Sequence, residues 1–165
     1  WKILKSTVAF IAFSIALVGC SAGMTTEEAG QRMLYFFCTG YQLNQDLVDA
    51  MLSDDLRGLK TATASGSILS EATYREMSEL EKWPDAIWPE VSEYAELELA
   101  TLDNRSRIAA LVADSSSYEQ ALSSVATAYG DKSLAGNLDR KLRLETSIRV
   151  KLGLTLDVAA SCKNY

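Results

Sequence analysis

The chain reads as an all-α protein, an up-and-down bundle of four long helices plus one short helix. Three observations predict this. Past Cys20 there are only two prolines, Pro84 and Pro89, and they lie close together. Few β-branched residues alternate with the period of two that marks a strand. Ala, Leu, Glu, Ser and Lys/Arg dominate, and their apolar members recur every three or four residues, as one face of a helix requires.

Helix one opens at Thr25-Thr26-Glu27-Glu28. Thr25 and Glu28 stand three apart, so each side chain can satisfy the other's backbone amide in a capping box. Its apolar stripe is Met33, Phe37, Tyr41, Val48 and Met51, widened by Leu34, Cys38 and Leu52. Gly30 and Gly40 weaken it locally or permit close packing. Helix two begins near Ser53-Asp54-Asp55, a cap followed by acids that suit the helix dipole. It is expected to reach about Lys82, with Leu56, Leu59, Ala62, Gly66, Leu69, Thr73, Met77 and Leu80 on one face. Its middle, Thr61 to Ser67, is small and polar and is the weakest helical stretch.

The connector Trp83-Pro84-Asp85-Ala86-Ile87-Trp88-Pro89 follows. Pro84 drives Trp83 out of the α region and ends helix two, and Pro89 suits the first turn of helix three. That helix carries Val91, Tyr94, Ala95, Leu99, Leu102, Ile108, Leu111 and Val112, with a kink expected at Asp103-Asn104. Ser116-Ser117-Tyr118-Glu119 is a second capping box, opening the short helix that Gly130 stops. Asp131 or Ser133 caps the last helix, whose stripe is Leu134, Leu138, Leu142, Ile148 and Leu152, with Gly153 as its terminator.

Ahead of the bundle, Lys2 and Lys5 precede an apolar run, Val8 to Val18, broken by Ser14 and ending at Leu17-Val18-Gly19-Cys20 among small residues. The run is too short for a comfortable membrane span and suits the core of an export signal. The chain opens on Trp1 rather than Met, so a few basic-region residues are expected upstream. This segment resembles a bacterial lipoprotein signal peptide closing in its lipobox. The resemblance implies cleavage after residue 19 and lipidation of the Cys20 thiol. Residues 1–19 are then the signal, 20–24 a lipidated tether, and 25–165 the bundle. Two or three acyl chains anchor firmly, each buried methylene adding about 0.8 kcal/mol. The protein is expected outside the cytoplasm, held to the cell membrane by that lipid.

Loss of Lys2 and Lys5 takes the net charge from −6 to −8. An acidic chain without a basic stripe is a poor nucleic-acid binder, so no nucleic-acid partner is expected. Cys38 and Cys162 remain after Cys20. In an oxidising compartment they are expected to pair, tying the first helix to the tail. Closure of so long a loop stabilises by up to about 4–5 kcal/mol. A redox or metal-binding pair is the alternative, which the missing C-x-x-C spacing disfavours.

No histidine occurs anywhere. That excludes Ser-His-Asp and Cys-His catalysis, histidine zinc sites and the Glu-x-x-His pairs of di-iron bundles. No S-x-x-K or G-x-S-x-G motif is present either. The expectation is a protein without enzymatic activity, metal or cofactor. Residues 71 to 103 hold ten acids against Arg75 and Lys82, with Glu90, Glu93 and Glu96 at helical spacing. They form a solvated face, a docking face for a basic partner, or a weak calcium site; carboxylates along one helix do not converge as calcium requires. Residues 105 to 165 carry nine basic and six acidic side chains, including Arg140, Lys141, Arg143, Arg149 and Lys151. The last helix is therefore expected beside the acidic third, with Asp139–Arg143 and Glu145–Arg149 as pairs within it. The tyrosines read as boundary residues with wet hydroxyls.

Trp83 and Trp88 are the candidate binding residues. Together they would form an aromatic shelf for a glycan, lipid or peptide, or else plug the end of the bundle. Two functions follow: an envelope protein working through contact with another protein, or a small-ligand binding module centred on this connector.

A further resemblance is to the small helical lipoproteins of actinobacteria. It rests on Glu27-Glu28-Ala29-Gly30, Cys38 in an aromatic-rich first helix, Trp88-Pro89, Leu152-Gly153-Leu154 and Ala160-Ser161-Cys162. Thr39 stands where several of those proteins carry proline. The group lends no activity and no catalytic residue.

Overall fold

The computed structural model describes residues 23–79, 82–130, 132–163 and 165. Cys20, the 1–19 signal and most of the tether lie outside the described residues, as do Leu80 and Asp131. Among the described residues the architecture is an all-α bundle, with five helices and a terminal turn of a sixth.

Helix α1, Thr26–Leu52, starts at the expected box: the Glu28 amide donates to Thr25 Oγ1 (3.2 Å) and the Thr25 amide to Glu28 Oε2 (2.8 Å). Met33, Phe37 and Cys38 are buried as predicted, but Val48, Met51 and Leu52 are exposed. Leu47 and Ala50 pack there instead, against Leu59. The reason is tertiary: the C-terminal half of α1 leans on α2 and α1 has no extensive contact with α5, so Val48, Met51 and Leu52 are left uncovered.

Asp54, with φ of 53°, turns the chain into α2, Leu56–Ser78. A short polar side chain tolerates that left-handed conformation better than most. Asp55 is the N-cap, although its side chain makes no capping bond. The helix stops at Ser78, four residues short of the expected Lys82. There the Trp83 indole N–H donates to the Glu76 carbonyl (3.3 Å), while the Lys82 carbonyl accepts from Met24 (2.7 Å). Trp83, beyond the end of the helix, is buried in the core.

Helix α3, Trp88–Ala113, has Pro89 in its first turn and stays helical through Asp103-Asn104. Helix α4, Tyr118–Tyr129, is capped by Ser117, whose Oγ accepts from the Gln120 amide, one residue later than the predicted box. Helix α5, Lys132–Lys151, ends in a Schellman motif. Gly153, at φ of 66°, lets the Leu154 amide reach the Arg149 carbonyl (2.8 Å) and its own amide reach Val150 (3.2 Å). The tail makes one last turn, α6, Val158–Ser161, capped by Asp157.

Helices α2 and α3 pack most extensively; α1 lies on α2, and α5 on α3. One core cluster joins Met33, Phe37, Met77, Trp83, Ile87, Val91 and Ile148. The other joins Ala50, Leu59, Ile108, Val112, Ala121 and Val125, with α4 as its cap. The tail bridges the gap between α5 and α1, fixed by the Cys38–Cys162 disulfide (Cα–Cα 5.0 Å) that spans 124 positions. The last helix does lie beside the acidic third, through Arg140–Glu93, Lys141–Glu98 and Lys151–Glu90.

Candidate functional site

Because α1 and α5 stand apart, the bundle is packed at both ends and hollow between them. A half-enclosed cavity of about 600 Å³ lies there. Its floor is α2 and α3, its walls are α1 and α5, and the tail residues Leu156 and Val158 border it. The space follows from small side chains. Gly40, Ala62, Thr63, Gly66, Ser67 and Ser70 line it, and a Cβ built on Gly66 would meet nothing within 4 Å. The small, polar middle of helix two is thus a cavity wall.

The cavity carries a polar band. On α3, Tyr94, Glu98, Arg105 and Ile108 line it at core spacing; on α5, Lys141, Glu145 and Arg149 are four apart. Glu98 and Lys141, at 4% and 5% exposure, form an ion pair across the two helices. Arg149 is 1% exposed. Its Nε donates to Glu145 (2.9 Å) and its Nη1 to the Thr155 carbonyl and Ser161 Oγ, while its guanidinium lies over the Phe37 ring, 5.2 Å from the centroid. One arginine therefore ties α5 to both the tail and α1.

Burial brings the Lys141 ammonium down to about pKa 8; the Glu98 carboxylate opposes that shift, and Arg105 adds to it. The Tyr94 phenol, under the Lys141 ammonium (5.3 Å to the ring centroid), is pushed well above its usual value by burial and by Glu98 and Glu145. Tyr94 is partly buried, packed against the core cluster and lining the cavity. Three buried polar atoms in the lining residues lack a partner: Ser70 Oγ, Glu98 Oε2 and Arg149 Nη2.

The two tryptophans occupy different surroundings. Trp83 is 3% exposed and belongs to the core cluster with Ile87, whereas Trp88 is 37% exposed at the start of α3. A shelf presenting both rings is therefore not formed, and neither ring lines the cavity. Two acids of that face are paired internally, while Glu96 is exposed: Glu93 binds Arg140 through both oxygens, and Glu90 takes Ser147 (3.0 Å) and Lys151 (2.6 Å). Hydrogen bonding to Arg140 holds the Glu93 carboxyl below its usual range. Among the described residues, no cluster of three or more potential metal ligands forms, and no helix is long and apolar enough to cross a membrane.

Glu98, Arg105 and Tyr94 were not legible as a site. A search for apolar stripes passes over Glu98, Thr101 and Arg105, although their spacing continues the buried face of Val91 and Ala95. Polar residues at core spacing, opposite the small stretch of α2, are the signal that would have found the cavity.

No protein-family model matches this chain, and neither a curated protein nor a solved structure does.

Proposed function

We propose that this protein is a non-catalytic binding module, held at the outer face of the cell membrane by a lipid on Cys20, that takes a small, largely apolar molecule between α1 and α5. The cavity carries this reading. Its size falls within the roughly 300–1,000 Å³ typical of ligand sites, and a few polar groups set in an apolar wall are what such sites contain. A binding role rather than a reaction is supported by the pairing of the ionisable groups. Glu98 is committed to Lys141 and Glu145 to Arg149, so both carboxylates are neutralised in place. The binding site thus moves from the Trp83/Trp88 connector to the middle of the bundle.

Native mass spectrometry of protein extracted from membranes tests the reading. A bound species that is absent from a Gly66→Phe variant, which fills the cavity, is the expected result. Identical empty spectra for both proteins, together with failure of any apolar probe to bind, would reject it. A second reading, contact with another envelope protein, is favoured by the exposed Val48, Met51 and Leu52 at the end of α1, remote from the tether. Crosslinking in cells would reveal a dominant partner at that end.

A further inference from the structure

The cavity's charges say which class of molecule it takes. Five ionised groups line it: Glu98, Glu145, Arg105, Lys141 and Arg149. Two ion pairs cancel four of them, Glu98 with Lys141 and Glu145 with Arg149. Arg105 is left over. Among the described residues it makes no ion pair, and it is half-buried at the cavity wall, near enough to Lys141 and Tyr94 to influence both. The site is thus cationic by one charge inside a chain whose net charge is −6. A surplus of that sign runs against the molecule's overall composition.

Around this band the walls are apolar, with Phe36, Leu43, Leu47, Leu69, Leu138 and Leu142 above and below it.

Resting on the cavity as the binding site, we infer that the ligand is a monoanionic amphiphile, one carboxylate on a single apolar chain or body, with the carboxylate held by Arg105. Arginine presents a planar fork that matches a carboxylate with two parallel bonds, and a half-desolvated site strengthens that pair. The apolar part lies along the leucines, where each methylene removed from water adds about 0.8 kcal/mol. A dianionic headgroup would leave one charge uncompensated in a low-dielectric wall, which disfavours it.

Titration calorimetry with the full chain in detergent-free form, using laurate and the neutral 1-dodecanol as probes below their aggregation limits, tests this directly. Laurate is expected to bind at least about tenfold more tightly than dodecanol, the usual value of one charge-assisted contact. Arg105→Gln should erase most of that preference, and Arg105→Lys should restore part of it. If dodecanol binds as well as laurate and Arg105→Gln changes neither, the anionic ligand is overturned while the cavity as a binding site survives. If neither probe binds the folded wild-type protein, the binding module itself falls. Circular dichroism of each variant separates loss of the contact from loss of the fold.

Discussion

Glu98→Leu and Lys141→Met should destabilise the protein unequally, and the double variant should lose little or nothing. The pair is buried between α3 and α5 at about one-twentieth exposure on each side. Burial has already brought Lys141 from 10.5 to about 8. At about 1.4 kcal/mol per unit, holding it charged costs about 3 kcal/mol relative to water, even with Glu98 beside it. If Glu98 is replaced by leucine, the orphaned ammonium can lose its proton. Glu98 raises the Lys141 pKa, so its loss moves that pKa further below about 8 and makes the neutral amine accessible at pH 7. Lys141→Met takes away the ammonium that pairs with the buried Glu98 carboxylate, whose Oε2 already lacks a partner. That variant should lose about 3–5 kcal/mol, the usual cost of stranding a buried charge. With both replaced, the desolvation of two ions disappears and apolar contact replaces it. Stability should then stand within about 1 kcal/mol of wild type, or above it. Urea unfolding at pH 7, with slopes that agree across the four proteins, measures all three values. Equal losses in the two single variants, or a double variant as weak as Lys141→Met, would refute the account of Lys141 as a buried cation kept charged at a cost.

The same ammonium sets a pH dependence. Its folded pKa is depressed, so between about pH 8 and 10.5 the unfolded chain binds the extra proton and Lys141 makes stability rise with pH. Wild type should therefore gain on Lys141→Met by up to about 3 kcal/mol across that window; a constant difference would argue against the shift. Replacing Cys38 and Cys162 by serine removes a link spanning 124 positions and should cost up to about 5 kcal/mol, read as a lower urea midpoint. Gly66→Ala should stabilise by about 1 kcal/mol, since the helix gains propensity and the new methyl meets nothing within 4 Å; a lower melting temperature would show that the cavity is closed in solution.

The ends of helices were largely legible because their signals are local. The Thr25–Glu28 box and the Gly153 terminator each depend on a few consecutive residues and on backbone geometry that those residues impose. The end of α2 was not, since Trp83 is drawn off by the core and reaches back to Glu76, a choice that depends on what surrounds the ring. The same limit hid the exposed half of the α1 stripe. Periodicity says that Val48 and Met51 share a face; it does not say that a neighbour will cover it.

Charge shows the division within a single helix. The basic residues of α5 and the acids of the middle third announced that the two segments would meet, because opposite excesses on amphipathic helices leave few other arrangements. Sequence alone thus determined the helical class, the pairing of Cys38 with Cys162 and the juxtaposition of α3 with α5. Which of those charges would be buried was decided by tertiary structure, through the width of the gap between α1 and α5. Small side chains at Gly40, Ala62 and Gly66 do not fill that gap, so Glu98, Arg105, Lys141 and Arg149 line a cavity instead of facing water. A cavity is a property of several helices at once, and no window along one chain can contain it.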